Sequence, residues 1–197
     1  MGGSQTMSIE SFVKSYKSNL IDLIDNIDSR VIEAIINAIE TTVQKKSRIY
    51  ILGNGGSSAT ASHMVNDLGA GLRRRGIINL DVVSLADNTP VITAIANDIG
   101  YDNIFYMQME GLLNSDDLVI AISCSGNSPN ITKAIQYAKK QGCKLVGITG
   151  FDGGLLKKIS DINFHVDVEK GQYGLVEDVH MILDHIIYSY YNAKEYS

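Results

Sequence analysis

The chain has 197 residues, of which 45% are hydrophobic and 20% charged, enough apolar material for one well-buried core. Seventeen Lys and Arg against 22 Asp and Glu leave a net charge of -5, which argues against nucleic acid as a partner, since neutralising a phosphate backbone takes an excess of cations. No apolar run approaches the ~18 residues of a membrane-crossing helix, and two cysteines without CxxC spacing, Cys124 and Cys143, signal no disulfide scaffold and fit a reducing, cytoplasmic setting.

Residues 1–7, ending at a second methionine, Met7, have neither an apolar core nor a cleavage pattern and read as a leader or frayed end outside the fold. From Ser8 to about Lys46 apolar residues recur at helical spacing, first Phe12, Tyr16, Leu20, Leu23 and Ile27, then Ile32, Ile35, Ile36, Ile39 and Val43, which predicts a helical hairpin. The pattern then changes to short Val- and Ile-rich runs at 48–52, 80–84, 118–122 and 144–148, with a weaker one at 162–168, and these read as strands. Between them the stretches 58–70, 89–113, 129–141 and 153–159 have helical composition, and a last helix is expected from about Val176 to Asn192. Strands apolar on both faces that alternate with helices predict an α/β fold, a doubly wound parallel five-stranded sheet with helices on both faces. Two prolines and no low-complexity tract leave no room for a linker. The expectation is one domain over 8–193, with the hairpin at 8–46 and the α/β core at 47–193.

Ligands of such sheets bind beyond the carboxyl ends of the strands, where loops lead into helix N-termini. After the strand ending at Leu52 comes Gly53-Asn54-Gly55-Gly56-Ser57-Ser58, and after the one ending at Ile122 comes Ser123-Cys124-Ser125-Gly126-Asn127-Ser128-Pro129. Glycines let backbone N–H groups approach an anion, the helix end adds partial positive charge, and serine hydroxyls donate hydrogen bonds. Neither loop carries GK[ST] or the dinucleotide GxGxxG with its distant acid, so nucleotides are disfavoured and a phosphate monoester fits better. Either loop alone could be ordinary turn and cap chemistry; two in one sheet favour a phosphate site.

Taken together these loops, Asp87-Asn88, the run Thr93-Ala94-Ile95-Ala96-Asn97-Asp98-Ile99-Gly100-Tyr101 and a C-terminal helix carrying Glu177, His180 and His185 resemble the SIS (sugar isomerase) domain family, and within it the phosphoheptose isomerases. The resemblance covers almost the whole chain from about Ser8 to Tyr190. It implies that Ser57, Ser123, Ser125 and Ser128 hold a sugar phosphate, with Cys124 where the family usually has threonine. It further implies that Asn54, Gly55, Gly56, Asn97 and Asp98 line the sugar pocket, and that the protein is a homotetramer with sites shared between subunits.

His63 and Asp67 stand four apart and share a helix face, a spacing that can hold zinc but more often makes a surface ion pair. The resemblance matches His63 and Asp67 to a zinc-binding His and Glu, and Glu177 and His185 to a zinc-binding Gln and His. Two departures follow: Asp67 is one methylene shorter than the family's Glu, and Glu177 is charged where Gln is not. Two neutral imidazoles with Asp67 and Glu177 would balance a divalent cation and make it a weaker Lewis acid, so the chemistry or substrate is open to change. On one continuous helix Glu177 and His185 are about 12 Å apart in rise and about 80° off a common face. Either Glu177 sits on an unwound helix start or the two residues serve different subunits' sites; His180, on the face of Glu177, is an alternative ligand or base.

The reaction these groups suit is aldose–ketose isomerisation of a phosphosugar, from the resemblance sedoheptulose 7-phosphate to D-glycero-D-manno-heptose 7-phosphate. In it a base moves a proton between adjacent carbons through an enediolate. Asp67 or Glu177 is the expected carbon base, His185 the group for the hydroxyl proton, and zinc the charge beside the oxygens. Alternatives are an isomerase of another phosphosugar, or a regulatory SIS module that binds a sugar or a protein without turnover. Arg73-Arg74-Arg75 reads mainly as a solvated helix end, His165 and Cys143 as structural, and Tyr188, Tyr190, Tyr191 and Tyr196 as packing or interface.

Overall fold

The computed structural model describes residues 8–194; the expected leader and Tyr196 lie outside the described residues. Helix α1 (Ile9–Asp25) opens on Ser8, whose hydroxyl accepts the Ser11 amide at 3.1 Å. Helix α2 (Ser29–Gln44) opens on Asp28, which accepts the Arg30 amide at 2.9 Å. The two differ in what they bury. Ile32, Ile35, Ile36 and Ile39 of α2 face the core, each fully buried side chain contributing about 1.5–3 kcal/mol. Helix α1 buries no residue completely and only leans Leu20 and Leu23 on the core.

Five strands follow, β1 (Ile49–Gly53), β2 (Val82–Ser84), β3 (Leu118–Ser123), β4 (Lys144–Gly150) and β5 (Ile162–Val166), all parallel in the order β2-β1-β3-β4-β5. Alternate side chains leave the sheet on opposite faces. Ile49, Ile51, Ile120, Ile122, Val146 and Ile148 join α2 and the C-terminal helix α9 (Tyr173–Lys194) on one face. Tyr50, Leu52, Val119, Ala121 and Leu145 meet α7 (Pro129–Lys140) and α8 (Gly154–Ile159) on the other. No helix among the described residues is long and apolar enough to cross a membrane.

Two expected helices are corrected. The stretch 58–70 starts earlier, as α3 (Gly56–Met64), and then widens into a π-helical segment, Val65–Gly71, before the short α4 (Leu72–Arg74). The stretch 89–113 is three pieces: α5 (Thr89–Asp98), a 3-10 turn at Tyr101–Asn103 and α6 (Tyr106–Met109). Gly100, at φ 115, takes a backbone turn that L side chains rarely adopt and ends the first piece. Helix α9 also begins earlier than expected, at Tyr173.

Candidate active site

Strand β1 connects to β2 on one side and β3 lies on its other side, so the chain reverses its winding between β1 and β3. Crevices open at such a switch point, where successive loops diverge from neighbouring strands. The two serine–glycine loops leave the sheet at these two strands. They frame a cavity of about 270 Å³ lined by Asn54, Gly55, Gly56, Ser57, Ser123, Cys124, Ser125 and Ser128, and closed on one side by Tyr173 and Glu177.

The loops are held by their own polar groups. Asn54 and Asn130 exchange amide hydrogen bonds at 2.9 and 2.8 Å, and the Tyr101 hydroxyl donates to Asn54 Oδ1 at 3.2 Å. Asn130, 1% exposed, went unnoticed in the sequence because it follows the motif rather than belonging to it. The Gly126 amide donates to Ser123 Oγ at 3.1 Å. A Cβ on Gly126 would lie 1.9 Å from the Gly153 carbonyl oxygen, and its φ of +63 independently calls for glycine. Neither Gly55 nor Ser128 caps the helix it precedes with its side chain; in α7 Pro129 has no N–H and the Ile131 amide donates to Asn130 Oδ1 at 3.0 Å, so the first amides of α3 are the more open to an anion. Burial, followed by the nearby Glu177 carboxylate, pushes the Cys124 thiol up to about 11, which keeps it protonated, a weak donor and a poor nucleophile.

Glu177 lies one turn into α9, on regular helix. Its carboxylate rests on Gly56 so closely that a Cβ there would meet Oε2 at 2.3 Å. Glycine at 56 is therefore what lets this carboxylate stand beside the start of α3. Asn97 and Asp98, expected in the sugar pocket, are exposed on α5 and bonded to each other at 2.8 Å, outside this cavity.

About two helical turns along the packed pair of α3 and α9 lies a second group. His63, Asp67, Asp184 and His185 each offer a ligand atom, all within 4.8 Å of one another. His63 Nε2 is the hub, 3.2 Å from His185 Nε2, 3.4 Å from Asp67 Oδ2 and 3.8 Å from Asp184 Oδ2. The π-helical segment carries Asp67 in this group, and such insertions commonly re-aim side chains at functional sites. Three of the four residues expected to bind metal meet here; Glu177 does not, and His180 is also elsewhere. His180 is 1% exposed and donates from Nε2 to the Thr149 carbonyl at 3.1 Å. Asp184 is the residue the sequence reading missed. Its carboxylate is 0% exposed and neither oxygen has a hydrogen-bond partner. Burial, with the Asp67 carboxylate second, pushes it up to about 7. The donor set of imidazole nitrogens and carboxylate oxygens, with a buried carboxylate lacking any hydrogen bond, suits a divalent ion such as zinc.

Known proteins share the sequence and the fold of this chain. The family described as SIS domain matches residues 12–150. The phosphoheptose isomerase of Aliarcobacter butzleri is 35% identical over 175 residues, 88% of this chain and 89% of that protein. That of Trichlorobacter lovleyi is 33% identical over 184 residues, 89% and 92% of the two chains. The structure of phosphoheptose isomerase from Neisseria gonorrhoeae superposes with a TM-score of 0.82 at 24% identity, covering 94% of this chain and 100% of that one. The chain therefore belongs to the SIS-domain family, and the relatives it resembles at this level are phosphoheptose isomerases.

Proposed function

We propose that this chain, a phosphosugar isomerase by its family, interconverts sedoheptulose 7-phosphate and D-glycero-D-manno-heptose 7-phosphate. The observation that carries the reading is the Glu177 carboxylate seated on Gly56 within a cavity framed by two phosphate-type loops. Ser57, Ser123, Ser125 and Ser128, with the open end of α3, hold the phosphate, three oxygens of which need several donors at once. The reacting end of the sugar then lies against Glu177. That carboxylate takes the proton from the carbon beside the carbonyl and returns it to the former carbonyl carbon, while the proton of the neighbouring hydroxyl passes to the former carbonyl oxygen, which isomerises the sugar through an enediolate with no net gain or loss of protons. Of the two carbon bases open from the sequence, Glu177 is preferred, since Asp67 is engaged with His63.

His63, Asp67 and His185 are the residues of this chain that would hold zinc. A divalent ion held there would supply positive charge beside substrate oxygens. Asn54, fixed by Asn130, offers the sugar an amide without reorganisation.

The test is turnover of ketose 7-phosphate by the purified protein before and after treatment with a chelator. The expected result is isomerisation that chelation abolishes and zinc restores. A phosphosugar that binds without turnover would replace this reading with that of a binding module.

A further inference from the structure

We infer that Asp184 is a metal ligand of this chain, standing in the coordination set where the family pattern would put residue 177, and that Glu177 is thereby left to the sugar pocket. The inference rests on the proposed metal-assisted isomerase and assigns the ligands of its metal.

A zinc ion with ligands at about 2 Å in a tetrahedron separates its ligand atoms by roughly 3.3 Å. The distances from His63 Nε2 to His185, Asp67 and Asp184 are 3.2, 3.4 and 3.8 Å, close to the edges of such a tetrahedron. The arrangement is unfavourable without a cation among these groups. Asp184 is 0% exposed with both oxygens unpartnered, and a second carboxylate, Asp67, belongs to the same group. The one possible counter-charge given for it, the His63 imidazole at 3.8 Å, acts only when protonated, and a buried carboxylate with no hydrogen bond costs several kcal/mol. A divalent ion removes that cost, since two neutral imidazoles and two carboxylates balance its charge. Glu177 cannot join the set from the same chain. It lies eight residues before His185 on an unbroken helix, about 12 Å lower in rise, and its carboxylate is against Gly56.

The division of labour is tested by metal affinity, independently of turnover. Metal-free protein is titrated with zinc against a chromophoric chelator, and with cobalt while the visible spectrum is followed, for wild type, Asp184→Asn and Glu177→Ala. Asp184→Asn is expected to lose about 100-fold or more in zinc affinity and to change the cobalt bands, while Glu177→Ala, which removes the ligating group altogether, keeps both. Metal-free Asp184→Asn is expected to melt at or above the wild-type temperature, because asparagine fills the same space without the buried charge. Unchanged zinc affinity in Asp184→Asn, or a loss in Glu177→Ala as large as in Asp184→Asn, overturns the inference. A wild-type chain that binds no zinc overturns it as well; its turnover with ketose 7-phosphate then decides separately whether the isomerase reading stands.

Discussion

Gly56 and Glu177 form the pair on which the proposed chemistry turns. Ala at 56 would put a methyl group 2.3–2.4 Å from the Glu177 carboxylate. The backbone at 56 is not in the left-handed region, unlike that at Gly55, where φ is 54. The cheapest relief is for the carboxylate to swing aside. Gly56→Ala is therefore expected to fold normally, with a melting temperature close to wild type, and to lose about 100-fold in kcat, the scale of effect when a reacting group is misplaced by an ångström. Glu177→Gln, which leaves a side chain of the same shape but removes the base, should lose about 10²–10⁴-fold. Steady-state kinetics with the phosphosugar separate kcat from KM for both variants. Full turnover in Glu177→Gln would remove Glu177 from the proton-transfer role.

Helix α9 carries the pocket carboxylate, half of the metal group and a buried histidine, so its stability should depend on pH. Burial pushes His180 down to about 4 from 6.5, and burial also lowers His165, whose Nδ1 faces Thr149 Oγ1 at 2.9 Å. Between these limits the unfolded chain binds more protons than the folded one, so stability rises with pH. The contribution of His180 is complete above about 6.5 and disappears as pH falls toward 4, with a ceiling of about 3 kcal/mol. Asp184 acts oppositely in the metal-free chain: raised to about 7, it favours the folded state at low pH and loses that advantage as pH rises. Urea midpoints measured across this range in an Asp184→Asn background isolate the histidines, and His180→Gln should flatten the slope; an unchanged slope would contradict the assignment. Most of these elements could be read from periodicity, because β1, β3 and β4 are short apolar runs buried on both faces and α2 repeats its isoleucines at helical spacing. The break at Gly100 and the π-helical segment depend on tertiary packing, which composition does not report. Asp184 was overlooked for a related reason. It stands on the buried face of α9 with Val176, His180, Leu183 and Ile187, and a lone acid in an apolar stripe shows its meaning only once His63 and Asp67 are seen opposite. The helix arithmetic that separated Glu177 from His185, in contrast, needed only the sequence and the rise per residue.

At the level of the whole chain, two features point beyond one copy. Ile9, Phe12, Val13, Ile21 and Ile24 of α1 are 77, 50, 40, 57 and 37% exposed, more apolar surface than one helix of a monomer normally shows to water. The pocket carboxylate and the metal group also lie about two turns apart along α3 and α9, while the proposed reaction uses both near one sugar. Both features are satisfied if copies associate and the metal group of one protomer completes the pocket of its neighbour, as shared sites in closed symmetric assemblies allow. Sedimentation should then give a mass well above that of one chain, and Phe12→Asp with Ile21→Asp should reduce it. The sharper test mixes two inactive proteins, Glu177→Gln and His63→Ala, under conditions that exchange subunits. With shared sites, some interfaces pair an intact Glu177 with an intact metal group, so activity returns as mixed assemblies form. If each chain works alone, every site in the mixture keeps one lesion and turnover stays at the level of the separate variants, whatever the oligomeric state.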